Sequence, residues 1–144
     1  MKAFFLTLCL AASVASGAVA AETIAGRVSH VIDGDTFRLG DEKIRLWGHD
    51  TPERGDCGYK AATEALRAAV NGRSVTCWPI ERDRYGRTVA RCRAGGVDLS
   101  GYMVLAGWSH DFTRYSGGAY LAAEKAARSH RRGLWASCWA EGRP

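Results

Sequence analysis

Apolar and polar positions alternate along the first third of the chain beyond residue 22, and three extended segments are predicted there: about Thr23 to Ile32, Thr36 to Leu39 and Glu42 to Trp47. Phe37 and Leu39, then Ile44 and Leu46, recur at every second position, the period of a half-buried strand. Gly40-Asp41 between them is a tight hairpin signal. The period then lengthens. From Gly58 to Val70, Ala62, Ala65, Leu66 and Ala69 fall on one face of a helix that Asn71-Gly72 ends. Ser74 to Trp78 and Thr88 to Cys92 return to the strand pattern on either side of a polar segment, Glu81 to Arg87. Asp98 is placed to cap a short helix through Ala106, with Gly107 as its stop. A last helix is predicted from Ala119 to Arg131, kept slim by Ala122, Ala123, Ala126 and Ala127 and closed by Gly133. Five strands with helices inserted and appended make an α+β domain, and a five-stranded β-barrel of the OB type closes such strands with few exposed edges.

The first twenty residues follow another rule. Lys2 precedes an apolar run from Ala3 to Val14, and Ala18-Val19-Ala20 is an A-x-A cleavage signature. The run is shorter than the roughly 20 residues a membrane span needs. A lipid anchor at Cys9 is disfavoured because Leu8 before it is bulky. Residues 1–20 are therefore read as a signal peptide, and residues 21–144 as one domain with no membrane segment. No repeat, low-complexity tract or linker divides it.

Charge adds little and cysteine adds more. The whole chain carries +5, and without Lys2 there are 19 basic against 15 acidic side chains, +4. That excess is compatible with a polyanionic partner. Cys57, Cys77, Cys92 and Cys138 remain after the leader, an even number that reads as disulfides in an exported protein, secreted or periplasmic. Three connectivities are possible; Cys77 and Cys92 flank the polar turn on neighbouring strands, where a cross-strand bridge is natural, and by elimination Cys57 would then bind Cys138. With no CxxC pair and no H-x(3–5)-H, zinc is the poorer reading.

Three polar clusters carry candidate chemistry: Asp33-Gly34-Asp35-Thr36, Arg45 to Glu53, and Asp83-Arg84-Tyr85-Gly86-Arg87. Each alone has an ordinary reading as a turn, a helix-capping segment or a solvated hairpin tip. An EF-hand is excluded, since from Asp33 the sixth position is Arg38 and the twelfth is Ile44. Together they supply what metal-assisted attack on a phosphodiester requires. Asp35 and Asp50 can hold a hard cation, Glu53 can take a proton from water, and Arg45 and Arg87 can meet the charge developing on phosphate. Arginine suits that last task because its fork matches phosphate oxygens two at a time.

In order and approximate spacing, IDGDT, IRLWGHDTPE, DRYGR and RRGLW resemble the staphylococcal nuclease (thermonuclease) family, from about Ile24 to Trp135. The resemblance implies an OB-fold barrel with three helices and a calcium-dependent endonuclease that cuts DNA and RNA with little sequence preference, leaving 3′-phosphates. It implies Asp35, Asp50 and the Thr51 carbonyl as calcium ligands, Glu53 as general base, and Arg45 and Arg87 as grips on the scissile phosphate. Tyr85 and Tyr115, with Arg84, are implied substrate contacts. Arg84, Arg114, Arg131 and Arg132 are read either as a backbone-tracking surface or as a solvated face, and Trp108, Trp135 and Trp139 as core or cover. His49 departs from the family, which has an aliphatic residue there; it is either buried beside a strand or a pH-sensitive neighbour of the metal site. The four cysteines and the short loops at Asp33 to Arg45 and Glu53 to Cys57 also depart from it. A monomer is expected. Two other readings are a non-catalytic OB-fold nucleic-acid-binding module and a structural calcium protein. The first would be expected to lose some of the carboxylates, and the second would be weakened by two spare arginines beside the cation.

Overall fold

A computed structural model describes residues 22–142; the leader read over residues 1–20 lies outside them. Strand β1 (Ile24–Val31) pairs antiparallel with β2 (Thr36–Leu39), which turns through Gly40-Asp41 into β3 (Glu42–Leu46). Gly40 takes a positive φ of 59°, as a two-residue hairpin with glycine in its first position allows. The two-residue strand β4 (His49–Asp50) and helix α1 (Tyr59–Val70) follow, then β5 (Ser74–Arg82) and β6 (Thr88–Ala94). β5 pairs with both β1 and β6, and β6 pairs in parallel with β3, so the five long strands close into a barrel. The alternation in the sequence becomes the barrel wall. Phe37, Leu39, Ile44, Leu46, Val75 and Ala90 point inward and are buried.

The chain continues through β7 (Val97–Asp98), α2 (Leu99–Leu105), β8 (His110–Asp111), α3 (Thr113–Ser116), α4 (Leu121–Ser129) and a 3-10 turn, Gly133–Ala136. The predicted count of three helices is corrected to four, because α3 is a single turn too short to show a period. Two strands are also longer than predicted. β5 runs past Trp78 to Arg82 through a register shift between Pro79 and Glu81, and β6 runs on to Ala94. The bulge absorbs the proline, which cannot donate to the ladder. Asp98 does stand at the N-cap of α2, but its side chain makes no capping bond; it is hydrogen-bonded to the Tyr120 hydroxyl instead.

Two apolar clusters stabilise the fold. Inside the barrel, the strands pack on Leu66, Ala69 and Val70 of α1 and on Leu99 and Met103 of α2. Beside it, Ala127, Leu134, Trp135 and Trp139 form a second cluster, and Trp108 packs against both. The tryptophans are thus core and cover. The RRGLW segment has a steric role here: a Cβ on Gly133 would lie 2.6 Å from the Gly107 carbonyl oxygen, and one on Gly107 would lie 2.2 Å from the Arg132 carbonyl oxygen.

Both expected disulfides are present. Cys77 and Cys92 are direct partners in the β5–β6 register, and Cys57 joins Cys138 across a sequence separation of 81. The longer loop gives the second bridge the larger effect on the unfolded chain, about 4–5 kcal/mol in the chain-entropy model against about 3 for the first. It ties the entry of α1 to the tail. Disulfides belong to oxidising compartments, which places this chain outside the class of ordinary cytosolic proteins.

Candidate active site

The loop Asp33-Gly34-Asp35 joins β1 to β2 and is folded by its own first carboxylate, which accepts the Asp35 amide at 3.1 Å. Gly34 is required by packing rather than by φ: a Cβ there would sit 2.9 Å from both Ala62 of α1 and Thr51 Cγ2. Helix and loop are therefore pressed together, and Asp35 is 4% exposed. Its carboxylate accepts the Thr36 hydroxyl at 2.7 Å and the Thr51 hydroxyl at 3.0 Å.

Arg45, on β3 beside Thr36 in the register, completes this cluster. Its guanidinium forms an ion pair with Asp35 and a second with Asp50 at 2.9 Å, and it donates to the His49 carbonyl at 3.3 Å. One cation thus bridges a carboxylate of the β1–β2 loop and one on β4. The donor chemistry suits a hard cation, which takes carboxylate and carbonyl oxygens. Among the described residues no three His, Cys, Asp or Glu side chains gather into a metal cluster. A cation held by Asp35, Asp50 and the Thr51 carbonyl would therefore need further oxygens, which phosphate and water can provide.

The Asp35–Arg45–Asp50 cluster stands where two clefts meet. One, of about 570 Å³, is lined by Arg45, Arg84, Tyr85, Arg87, Arg114 and Tyr115. The other, of about 620 Å³, is lined by Asp50, Thr51, Glu53, Asp56 and His110. In the first cleft the DRYGR turn is organised by Asp83, whose carboxylate accepts the amides of Tyr85 and Arg87 at 2.9 Å and Arg87 Nε at 2.7 Å. Burial pushes the Asp83 carboxyl up, but these hydrogen bonds and the Arg87 charge outweigh it and hold the carboxyl below its ordinary value. The bond to Nε orients Arg87 without using its two terminal nitrogens. Tyr85 is 66% and Tyr115 54% exposed, both large flat surfaces beside arginines. Arg84 and Arg87 face the Tyr85 ring at 4.9 and 5.4 Å.

The structure brings together most of the residues singled out from sequence. Asp35, Arg45, Asp50 and Thr51 share one cluster, and Arg87, Arg84, Tyr85 and Tyr115 face it across the first cleft. Glu53 stands apart from the arginines, exposed on the wall of the second cleft. Its turn is held by Asp56, which bonds the Glu53 amide at 3.2 Å and donates its own amide to the Glu53 carbonyl at 2.9 Å. Cys57, next in the chain, anchors that turn through its disulfide. The four arginines do not form one surface. Arg84 and Arg114 line the cleft, whereas Arg132 donates to the Leu105 carbonyl at the end of α2 and Arg131 takes a positive φ of 52° after α4.

Sequence reasoning missed two contributors, His110 and Asp111, and named Asp83 only as a member of its cluster, without its organising role. β4 pairs with β8, setting His49 opposite Asp111 and Asp50 opposite His110. His110 Nε2 lies 4.0 Å from Asp50. Asp111 is 3% exposed and accepts the hydroxyls of Thr113 and Ser116 and the Tyr120 amide, fixing α3 and with it Tyr115.

His49 resolves in favour of burial. It is 1% exposed, and neither ring nitrogen has a hydrogen-bond partner among the described residues. Burial first, then the Arg45 and His110 charges, lowers its pKa from 6.5 to about 3. The alternative of a neutral-pH sensor is thereby corrected, because this imidazole stays uncharged throughout that range. Below the ordinary value of 6.5 the unfolded chain takes up a proton that the folded chain refuses until about pH 3. Stability is lost across that window at up to about 1.4 kcal/mol per pH unit. His49→Leu is accordingly expected to be the more stable protein in acid. Urea unfolding at neutral and acidic pH should show its advantage widening as pH falls; an advantage independent of pH would contradict the burial argument.

A phosphodiester hydrolase is the class of protein that this barrel, carboxylate pair and arginine-lined cleft define. The family model described as staphylococcal nuclease homologue matches residues 43–137. An uncharacterized endonuclease of Escherichia coli O157:H7 is 35% identical over 118 residues, covering 78% of this chain and 77% of that protein. The succinoglycan biosynthesis protein ExoI of Rhizobium meliloti is 37% identical over 129 residues, 81% of this chain and 66% of its own length. A probable staphylococcal-like nuclease, CAN1, of Oryza sativa subsp. japonica is 40% identical over 96 residues, 66% of this chain and 29% of that longer protein. The chain belongs to the staphylococcal nuclease family and is a nuclease.

Proposed function

We propose that this nuclease is a calcium-dependent endonuclease, secreted or periplasmic and monomeric, which hydrolyses DNA and RNA with little sequence preference and leaves 3′-phosphates. The observation that carries this reading is the Arg45 guanidinium held between Asp35 and Asp50 at the junction of two clefts. A calcium ion held by Asp35, Asp50 and the Thr51 carbonyl would supply positive charge to the phosphate oxygens. Arg45, anchored on one side, and Arg87, oriented by Asp83 on the other, would grip the scissile phosphate and stabilise the charge that develops on it. Glu53 would take the proton of the attacking water from the second cleft. Tyr85 and Tyr115 offer faces to bases on either side of the break, and Arg84 a contact to the backbone. Arg84 and Arg114 on the wall of the first cleft would meet the phosphate backbone, a contact that carries no sequence preference.

The test is cleavage of single-stranded DNA, plasmid and RNA by the oxidised protein in calcium and in excess EGTA, with end-group analysis of the products. Cutting that requires calcium and leaves 3′-phosphates is the expected result. Salt-sensitive binding without cleavage in any divalent ion would replace this reading with a nucleic-acid-binding module on the same barrel.

A further inference from the structure

We propose that the outward face of the β5–β6 ladder is a second binding track for single-stranded nucleic acid, continuous with the catalytic cleft. It rests on the nuclease reading, because the strand reaches the track from that cleft. Along β6 the even positions are buried, whereas Val89, Arg91 and Arg93 face out. On β5 the paired positions are Glu81 for Val89, Trp78 for Arg91 and Thr76 for Arg93.

This ladder begins inside the candidate active site. Val89 and Trp47 line the cleft that holds Arg45 and Arg87. Arg91 lies over the Trp47 ring at 4.0 Å, and with Trp78 and Arg93 it lines the next hollow, of about 300 Å³. One stacked pair therefore joins the two hollows. Stacking on Trp47 restrains the Arg91 side chain, so presenting its charge to a ligand costs less side-chain freedom. Trp78 is 41% exposed, a large indole on a strand face where a polar side chain would serve solubility.

The chemistry identifies the ligand. Two arginines beside an exposed indole on a sheet suit a polyanion whose bases are free to stack, which is a single strand and not a duplex. Each outward step along the strand is about 7 Å, comparable with the phosphate spacing of a stretched single strand. Two carboxylates flank the track, Asp98 opposite Arg93 in the same hollow and Glu81 at the cleft end, which leaves Arg91, opposite Trp78, as the cation paired with neither. The track gives the enzyme a preference for longer single strands that the cleft alone does not supply.

The experiment compares labelled oligothymidylates of about 4 and about 16 nucleotides, lengths that span the range a single barrel of this type covers. Binding is measured on the full oxidised protein carrying Glu53→Gln, with and without Trp78→Ala plus Arg93→Ala, over a series of salt concentrations. The added changes are expected to weaken the long strand at least about tenfold and the short one not at all. Arg91→Ala with Arg93→Ala should make the salt dependence for the long strand shallower by about 1.4 in log–log slope. Trp78→Phe keeps a ring and should retain most of the affinity, which separates stacking from damage to the fold. Equal losses for both lengths, or no loss for either, would overturn the track. Failure of the nuclease reading looks different: the wild-type protein would not cut, yet the length-dependent binding would still be measurable.

Discussion

Glu53→Gln is expected to slow phosphodiester cleavage by about 10²- to 10⁴-fold and to leave the fold within about 0.5 kcal/mol of the parent. The side chain is exposed on the wall of the second cleft, and the turn that carries it is held by Asp56 and the Cys57–Cys138 bridge rather than by the Glu53 carboxylate. Glutamine reproduces its shape and much of its hydrogen bonding but cannot take a proton. The loss should therefore appear in the rate of a single turnover at saturating calcium and substrate, not in thermal unfolding. A drop of less than tenfold would remove Glu53 as the base, while a lowered unfolding temperature would show that the turn needs this side chain after all.

Arg45→Ala should do two things at once. The guanidinium side chain is 15% exposed and contacts Asp35, 5% exposed, and Asp50, 33% exposed. Removing it leaves a buried carboxylate without its cation and close to a second one. Breaking a buried pair in this way costs about 3–5 kcal/mol, so a large fall in thermal stability is expected. Activity should also fall, since an anchor on the scissile phosphate is gone. Added calcium should raise the unfolding temperature of the variant more than that of the parent, because a ligand that binds only the folded state stabilises it more the tighter it binds, and no guanidinium then competes for the carboxylates. Equal calcium shifts in the two proteins would argue against Asp35 and Asp50 as the cation's holders. A variant as stable as the parent would argue that the arginine serves substrate alone.

What could be read without the fold follows from range. The alternation of Phe37 with Leu39 and of Ile44 with Leu46 reports a local preference that the barrel only has to accept. The face Ala62, Leu66 and Ala69 in α1 is legible for the same reason. The Cys77–Cys92 bridge came from two strands joined by a short turn. The Cys57–Cys138 bridge, between residues remote in sequence, followed only by elimination.

Where a contact depends on two loops meeting, local pattern was silent. Nothing near Asp50 announces that β8 will pair with β4, yet that pairing sets His110 beside Asp50 and buries Asp111 under α3. Arg131 and Arg132 read from sequence as a backbone-tracking surface or a solvated face, and the close approach of Gly133 to Gly107 sets Arg132 against the end of α2 instead of in the cleft. β5 runs past Trp78, where the sequence pattern ends it, through a bulge beside Pro79.

The sequence by itself determined the five barrel strands and main helices, the family and the residue types available for chemistry, because those are written in short-range periodicity and ordered motifs; the cysteine partners it only favoured among three connectivities. Only the tertiary structure decided that one guanidinium spans Asp35 and Asp50, that Glu53 faces a separate cleft, and that His49 is sealed from water. Those outcomes depend on how loops distant in sequence are pressed together by barrel closure and by the packing of α1 and the tail, and a contact of that kind has no local signature.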